Sequence, residues 1–291
     1  MPNKFELKYQ HLHGTEEMIV QGLSDEDVVI RRHAASHLET INCSPETRSI
    51  ALSDPDREVR RRASLMGVQF TPAQIELGLT DEFHQVRLNF ARYTLYTPTD
   101  AQLERGLKDH SSQVKTAFFH RDDIKLTPHQ IARGLACKTA EVRWAIASKN
   151  IKFTAIQIDS GLQDSDPGVR EAFASNLNFV PSEEQILRAL NAADLDVIAA
   201  FILRKDIHLT KEYISIIFNT NDWHCFTALS TRDDFIPTEA QESIIFNHDD
   251  YWMSNITEEM PLIWASRREK QALTLNFIST QDKPNSPQQC L

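Results

Sequence analysis

The sequence predicts an all-α fold, an α-solenoid of about eight or nine two-helix repeats, and three recurring features predict it. A small residue followed by Leu returns at a fixed period, an aliphatic residue trails the small one by eight positions, and a base comes next. The first feature falls at Gly22-Leu23, Ala51-Leu52, Gly78-Leu79, Gly106-Leu107, Gly134-Leu135, Gly161-Leu162 and Ala189-Leu190, 27 to 29 residues apart. The second is Ile30, Val59, Val86, Val114, Val142, Val169 and Val197, and the third is Arg31, Arg60, Arg87, Lys115, Arg143 and Arg170. Two further copies, at Ile217-Phe218 and Ile245-Phe246, keep the period while the fingerprint decays.

Each copy reads as two short helices. The first opens on a capping signal such as Phe70-Thr71-Pro72, Tyr96-Thr97-Pro98, Leu126-Thr127-Pro128 or Val180-Pro181-Ser182. There the hydroxyl caps the helix and proline suits the first turn, where its missing N–H costs nothing. Ile75, Leu103, Ile131, Ile158 and Ile186 then form one apolar face, and an acidic loop follows the small-Leu pair. The second helix begins near the aliphatic-base pair and carries Ala63, Phe90, Phe118, Ile146, Phe173 or Phe201 four residues after the aliphatic, on the same face. So short a pair cannot bury its apolar faces alone, so neighbouring copies must supply the rest of the core.

These features set the expected organisation. Residues 1–14 are polar and read as irregular, 15–260 as the array, 261–280 as a helical cap, and the Pro/Gln/Ser-rich stretch 281–291 as disordered. No apolar run approaches the length of a membrane span, and the first ten residues lack the basic-then-apolar pattern of a secretory signal. The expectation is a soluble, cytoplasmic protein with no membrane contact. Cys43, Cys137, Cys225 and Cys290 lie far apart and read as reduced thiols.

In five copies an Asp stands six residues before the base: Asp25 and Arg31, Asp54 and Arg60, Asp81 and Arg87, Asp109 and Lys115, Asp164 and Arg170. In the fifth copy of the array, which is not one of these, Cys137 takes the place of the Asp. Asp54-Pro55-Asp56-Arg57-Glu58-Val59-Arg60 and Asp164-Ser165-Asp166-Pro167-Gly168-Val169-Arg170 resemble the HEAT repeat and its bacterial relative, the variant leucine-rich repeat, over about residues 15–260. The resemblance implies an armadillo- or HEAT-like superhelix in which these Asp and Arg residues form a structural ladder between successive copies. It also implies that the second helices line a concave face.

Chemistry leaves little trace. The eleven His residues form no ligand pattern, no nucleophile motif appears, and eight Gly, most of them in the small-Leu position, leave little material for a phosphate cradle. The expectation is no metal, no cofactor, no catalytic residue and no enzyme. Charge is more informative. The chain carries a formal charge of −10, yet the six residues after the basic position of each second helix, eight windows in all, hold eight bases and the single acid Glu171. The bases are Arg32, Arg61, Arg62, Arg92, Arg121, Lys149, Arg204 and Arg232, and Trp144 belongs to the same row.

That row has two readings. It is a binding surface with Trp144 as an aromatic anchor, or it is charge compensation at helix C-termini with Trp144 in the core. The first predicts a non-enzymatic scaffold that holds a protein partner by an acidic surface or segment. A nucleic-acid binder or processor is the alternative, because HEAT-like alkylpurine DNA glycosylases grip a duplex on a basic concave surface. Acidic loops beside the row, and the lack of a recurring aromatic series, count against it.

Overall fold

The computed structural model describes residues 3–65, 69–192, 194–248 and 260–281, and among them the regular elements are helical, with no strand. The first compact unit, Met1–Lys149, opens with α1 (Lys4–Lys8) and a 3-10 turn (Gln10–Leu12). Five helix pairs follow: α2 (Glu16–Leu23) and α3 (Val28–Ser36), α4 (Pro45–Leu52) and α5 (Arg57–Ala63), α6 (Pro72–Leu79) and α7 (His84–Arg92), α8 (Asp100–Leu107) and α9 (Ser112–His120), α10 (Pro128–Leu135) and α11 (Ala140–Ala147). The second unit, Asn150–Leu291, holds α12 (Ala155–Leu162) and α13 (Pro167–Ser175), α14 (Glu183–Leu190) and α15 (Leu195–Leu203), α16 (Lys211–Thr220) and α17 (Trp223–Ser230), then α18 (Glu239–Phe246) and α19 (Met260–Gln281).

Within the first unit each helix packs against its pair-mate and against the same helix of the neighbouring copy. Thus α3, α5, α7, α9 and α11 form one row, and α2, α4, α6 and α8 another. The second unit repeats this with α13, α15 and α17 in one row and α14 against α16. Such nearest-neighbour packing of short helices is compatible with a helical repeat solenoid.

Local chemistry sets the helix ends. Thr71, Thr99, Thr127, Thr154, Ser182 and Thr238 each accept a hydrogen bond from the N–H of a Gln three residues on, whose side-chain oxygen accepts the cap's own N–H. In the fourth copy the cap is Thr99, two residues beyond the Thr97 that the Thr-Pro signal suggests. The same glutamines also join neighbouring copies: Gln102 donates to Glu76 at 3.0 Å, Gln130 to Glu104 at 2.7 Å and Gln185 to Asp159 at 2.9 Å. Those of Gln130 and Arg133 hold the Glu104 carboxyl down at about 2.

Close approach explains the small residue of the fingerprint. A Cβ on Gly78 would lie 2.0 Å from the Phe90 ring, and one on Gly106 2.1 Å from Phe118, so pair-mates pack at a distance that only glycine permits there. Phe90, Phe118 and Phe173 are fully buried or nearly so, as are Val59, Val86, Val114, Val142 and Val169.

The start of the chain departs from expectation. Residues 4–12 are helical: Asn3 and Glu6 form a capping box, and Phe5 is fully buried against α3 and Gly22. Five residues are too few to show a hydrophobic period, and a single buried Phe anchors them. At the other end α19 covers the second unit with the buried Trp264, edge-on to Phe235 at 6.1 Å and near Phe246 at 5.8 Å. The stretch 249–259 within the ninth copy, and all of the tail beyond Gln281, lie outside the described residues.

Candidate functional site

The ladder residues link consecutive copies through their loops. Arg31 reaches Asp54 at 2.9 Å, Arg60 reaches Asp81 at 2.7 Å, Arg87 reaches Asp109 at 2.7 Å, and in the second unit Arg170 reaches Asp194 at 2.6 Å. Each guanidinium also donates backward to the carbonyl of its own copy's Asp: Asp25, Asp54, Asp81 and Asp164. At Asp25 the donors are Lys8 and Tyr9, from the end of α1 and just beyond it, where the other rungs have an arginine. Burial opposes ionisation of Asp25, yet the hydrogen bonds from Lys8 and Tyr9 outweigh it and hold the carboxyl at about 2. The side chain of Lys115, whose partner position is occupied by Cys137, has no ion pair or hydrogen bond among the described residues.

The basic row separates into two populations. Arg121, Arg204 and Arg232 are buried, at 4%, 2% and 3% exposure, and each holds the preceding copy by its backbone. Arg121 donates to the carbonyls of Ala91, Tyr93 and Tyr96, Arg204 to those of Ala174, Asn176 and Phe179, and Arg232 to those of Ile202, Arg204 and Ile207. In every case the acceptors lie 30, 28 and 25 residues back. An Asp two residues on, Asp123, Asp206 or Asp234, completes each clasp with a salt bridge at 2.6 to 2.7 Å. Lys149 makes a reduced version, donating to the carbonyl of Arg121, and Arg267 of α19 closes the series on the carbonyl of Arg232. These bases satisfy carbonyls that a helix C-terminus leaves open. They do not form an exposed surface.

Three more of the row are engaged at the surface. Arg32 grips Asp56 at 2.7 and 2.9 Å, Arg61 pairs with Glu58 at 2.8 Å, and Arg62 donates to the carbonyl of Arg32 and the hydroxyl of Ser36. The pair with Arg32 holds Asp56 at about 2. Arg92 differs: it is exposed and has no ion pair or hydrogen bond among the described residues. Trp144 is 41% exposed, so it is not a core residue.

Arg92 and Trp144 belong to one neighbourhood. A cleft of about 450 Å³ runs along α9 between Arg92 at the end of α7 and Glu141 in the first turn of α11, with Gln113, Thr116, Ala117 and His120 in its wall. The His120 ring lies 5.3 Å from that of Trp144. Burial first, then the nearby Lys149 and Arg92, push the His120 imidazole below its ordinary value against the pull of Asp122. It is therefore mostly neutral near pH 7 and able to donate or accept a hydrogen bond. The Thr116 hydroxyl oxygen is buried without a hydrogen-bond partner among the described residues.

Sequence reasoning alone does not single out His120, Gln113 or Glu141, because none belongs to a motif. A signal did exist for the sorting of the arginines: Arg121, Arg204 and Arg232 share the pattern Arg-x-Asp, which Arg92-Tyr93-Thr94 lacks. Among the described residues no group of three or more His, Cys, Asp or Glu is placed to hold a metal ion, and no helix is long and apolar enough to cross a membrane. Cys43 and Cys225 are buried, and burial pushes the Cys225 thiol up to about 12, the opposite of nucleophile activation. No protein-family model matches the sequence, and no curated protein matches it either.

Proposed function

We propose that this chain is a HEAT-like α-solenoid that works as a non-enzymatic protein-binding scaffold in the cytoplasm, holding an acidic segment of its partner on the second-helix face around α9. The observation that carries this reading is the sorting of the basic row. Seven of its eight bases are engaged within the chain, while the Arg92 side chain stands free at a cleft whose wall includes His120, the ring that packs near the exposed Trp144. A free arginine with an exposed aromatic is the pairing that interface hot spots favour. The free thiols Cys43, Cys137 and Cys225 support a reducing compartment.

The same sorting weighs against the nucleic-acid alternative. A polyanion needs several cations free to displace its counterions, and this row offers one. Fluorescence anisotropy with labelled acidic peptides and a labelled DNA duplex, at about 0.15 M salt and at lower salt, tests the choice. Saturable peptide binding weakened by both Arg92→Ala and Trp144→Ala, with no matching DNA affinity, is expected. Tight DNA binding that falls steeply with salt would overturn the reading.

A further inference from the structure

A bridging side chain joins the second helices at the two joints before α9 and is missing at α9. Arg62 in α5, Asn89 in α7 and Ala117 in α9 each stand two residues after the basic position of their copy. Arg62 donates to the carbonyl of Arg32 and the hydroxyl of Ser36 on α3, and Asn89 to the carbonyl of Arg61 and, at 2.7 Å, the hydroxyl of Ser64 at the end of α5. Ala117 offers no such donor, and it lines the cleft beside Arg92 and His120. The alanine recurs as Ala145, Ala172 and Ala200, but the copies before these carry His120, Ser148 and Ser175 where α7 carries Arg92. Of these four alanine copies, α9 alone follows an arginine.

Donors surround this seat. The helices α7 and α9 run parallel, since Gln85 meets Gln113 at their starts, 3.4 Å apart, and Arg121 donates to the Ala91 carbonyl at their ends. Arg92 and His120 therefore close the same end of the row, whereas Glu141 stands in the first turn of α11. The Arg92 side chain has no ion pair or hydrogen bond among the described residues, Arg121 is held by carbonyls and Asp123, and Lys149 donates to the Arg121 carbonyl. We infer that the seat left by Ala117 takes an aspartate or glutamate side chain of the partner, whose carboxylate accepts from Arg92 and His120. The inference rests on the reading of this face as the holder of an acidic segment and says where one acid of that segment enters. The occupant is a side chain because Arg62 and Asn89 serve the same position at the earlier joints. It is an acid because the uncommitted ion at that end is Arg92, and an arginine holds a carboxylate by charge-assisted hydrogen bonds.

The seat can be closed without touching Arg92. Ala117→Asn gives α9 the residue that α7 carries, placed by register to reach the Leu88 carbonyl as Asn89 reaches that of Arg61. The probe is a labelled peptide of alternating Glu and Ala, titrated against the full chain by anisotropy. Ala117→Asn weakens its binding at least about tenfold, whereas Ala117→Ser, too short to fill the seat, keeps it within about twofold. A peptide with Gln in place of Glu binds at least about tenfold more weakly than the acidic one. Equal binding to the unaltered chain and to folded Ala117→Asn overturns the inference, and the scaffold reading survives that result if Arg92→Ala still weakens binding. An Ala117→Asn chain that is unfolded at the titration temperature overturns it as well, because a side chain that the α7 joint accommodates would then have no room. Complete displacement of the peptide by millimolar acetate makes the occupant a free anion and has the same consequence. No binding of the acidic peptide overturns both readings.

Discussion

In Met1–Lys149 the polar joint between consecutive copies runs mainly through the loops, where Arg31, Arg60 and Arg87 each reach the next copy's Asp, and Arg121 makes the one full clasp at a helix C-terminus among the described residues. In Asn150–Leu291 the loop joint is Arg170 to Asp194, and beyond it Ile198 and Phe226 stand, fully buried, where the base would be. There the joint moves to the helix C-termini, where Arg204, Arg232 and Arg267 in turn clasp the copy before them. The repeat therefore tolerates two ways of fixing its register. A loop rung joins one arginine to the next copy's Asp while its other donors stay on carbonyls of its own copy, whereas a C-terminal clasp sets three donors on carbonyls of the preceding copy. The fading of the sequence fingerprint after Ala189 reflects this change of joint and not a loss of the repeat.

The largest expected effect tests that difference. Arg232→Ala removes the donor to three carbonyls and leaves the exposed Asp234 without its partner. Each buried carbonyl left without its donor costs about 1–3 kcal/mol, so the three together set the expected loss at about 3–5 kcal/mol. Arg60→Ala in the first unit frees the Asp81 carboxylate, which still accepts the Phe83 N–H, and removes the donor to the Asp54 and Pro55 carbonyls of its own copy, so fewer contacts between copies are lost and its cost should be smaller, about 2–3 kcal/mol. Chemical denaturation of both variants checks the order. A larger loss for Arg60→Ala would show that the loop rung, not the clasp, is the stronger joint.

Acid separates the joints by another route. Asp25, Asp56 and Glu104, all in the first unit, sit at about 2 when folded, below the ordinary carboxylate range. Groups held low contribute stability that is present above about pH 4 and lost as pH falls toward 2, because the unfolded chain binds the protons first. Lys8→Gln removes the leading hydrogen bond that lowers Asp25 and keeps Tyr9. It should shift acid unfolding, followed by circular dichroism, to higher pH while leaving stability at low pH, where Asp25 is protonated in both states, nearly unchanged.

Much of this was legible in the sequence. The period, the threonine caps and the Asp-to-base spacing each reflect a local rule that every copy obeys, so recurrence exposes them. The helix α1 escaped because one Phe cannot make a period, although Asn3 and Glu6 carry its capping signal. Asp194 escaped because it lies four residues before Ile198, which stands at the base position, and not six as Asp25 does before Arg31, while filling the same role. The fate of the basic row was hidden by a finer effect. Grouping six residues of a helix end together merges a side chain on the last helical position with one at or just past the cap. Successive positions on a helix differ by about 100°, enough to send one outward and the next inward.

The incomplete rung offers a gain smaller than these losses. The register sets Cys137 opposite Lys115, and the Cys137 carbonyl accepts from Arg143 as the Asp carbonyls do from their own arginines. Cys137→Asp should therefore complete the loop joint and raise stability by about 0.5–1 kcal/mol, the scale of a partly exposed pair. Arg at position 115 in the same variant should add to the gain through its second donor. A loss in the double variant would mean that the loop there has no room for a carboxylate.

The smallest expected effect is the most discriminating one for function. Arg92 and Arg121 close second helices of consecutive copies, but Arg92 is the last residue of α7 whereas Arg121 is the cap of α9. That single step decides which of them is exposed and which donates to Ala91, Tyr93 and Tyr96. Arg92→Ala should leave the melting temperature unchanged within the spread of surface substitutions, about 0.5 kcal/mol, while Arg121→Ala should destabilise by several times that. If both arginines prove silent, the clasp contributes nothing to the joint. If both destabilise, Arg92 is structural, and an anion site at the end of α7 loses the free cation on which it depends.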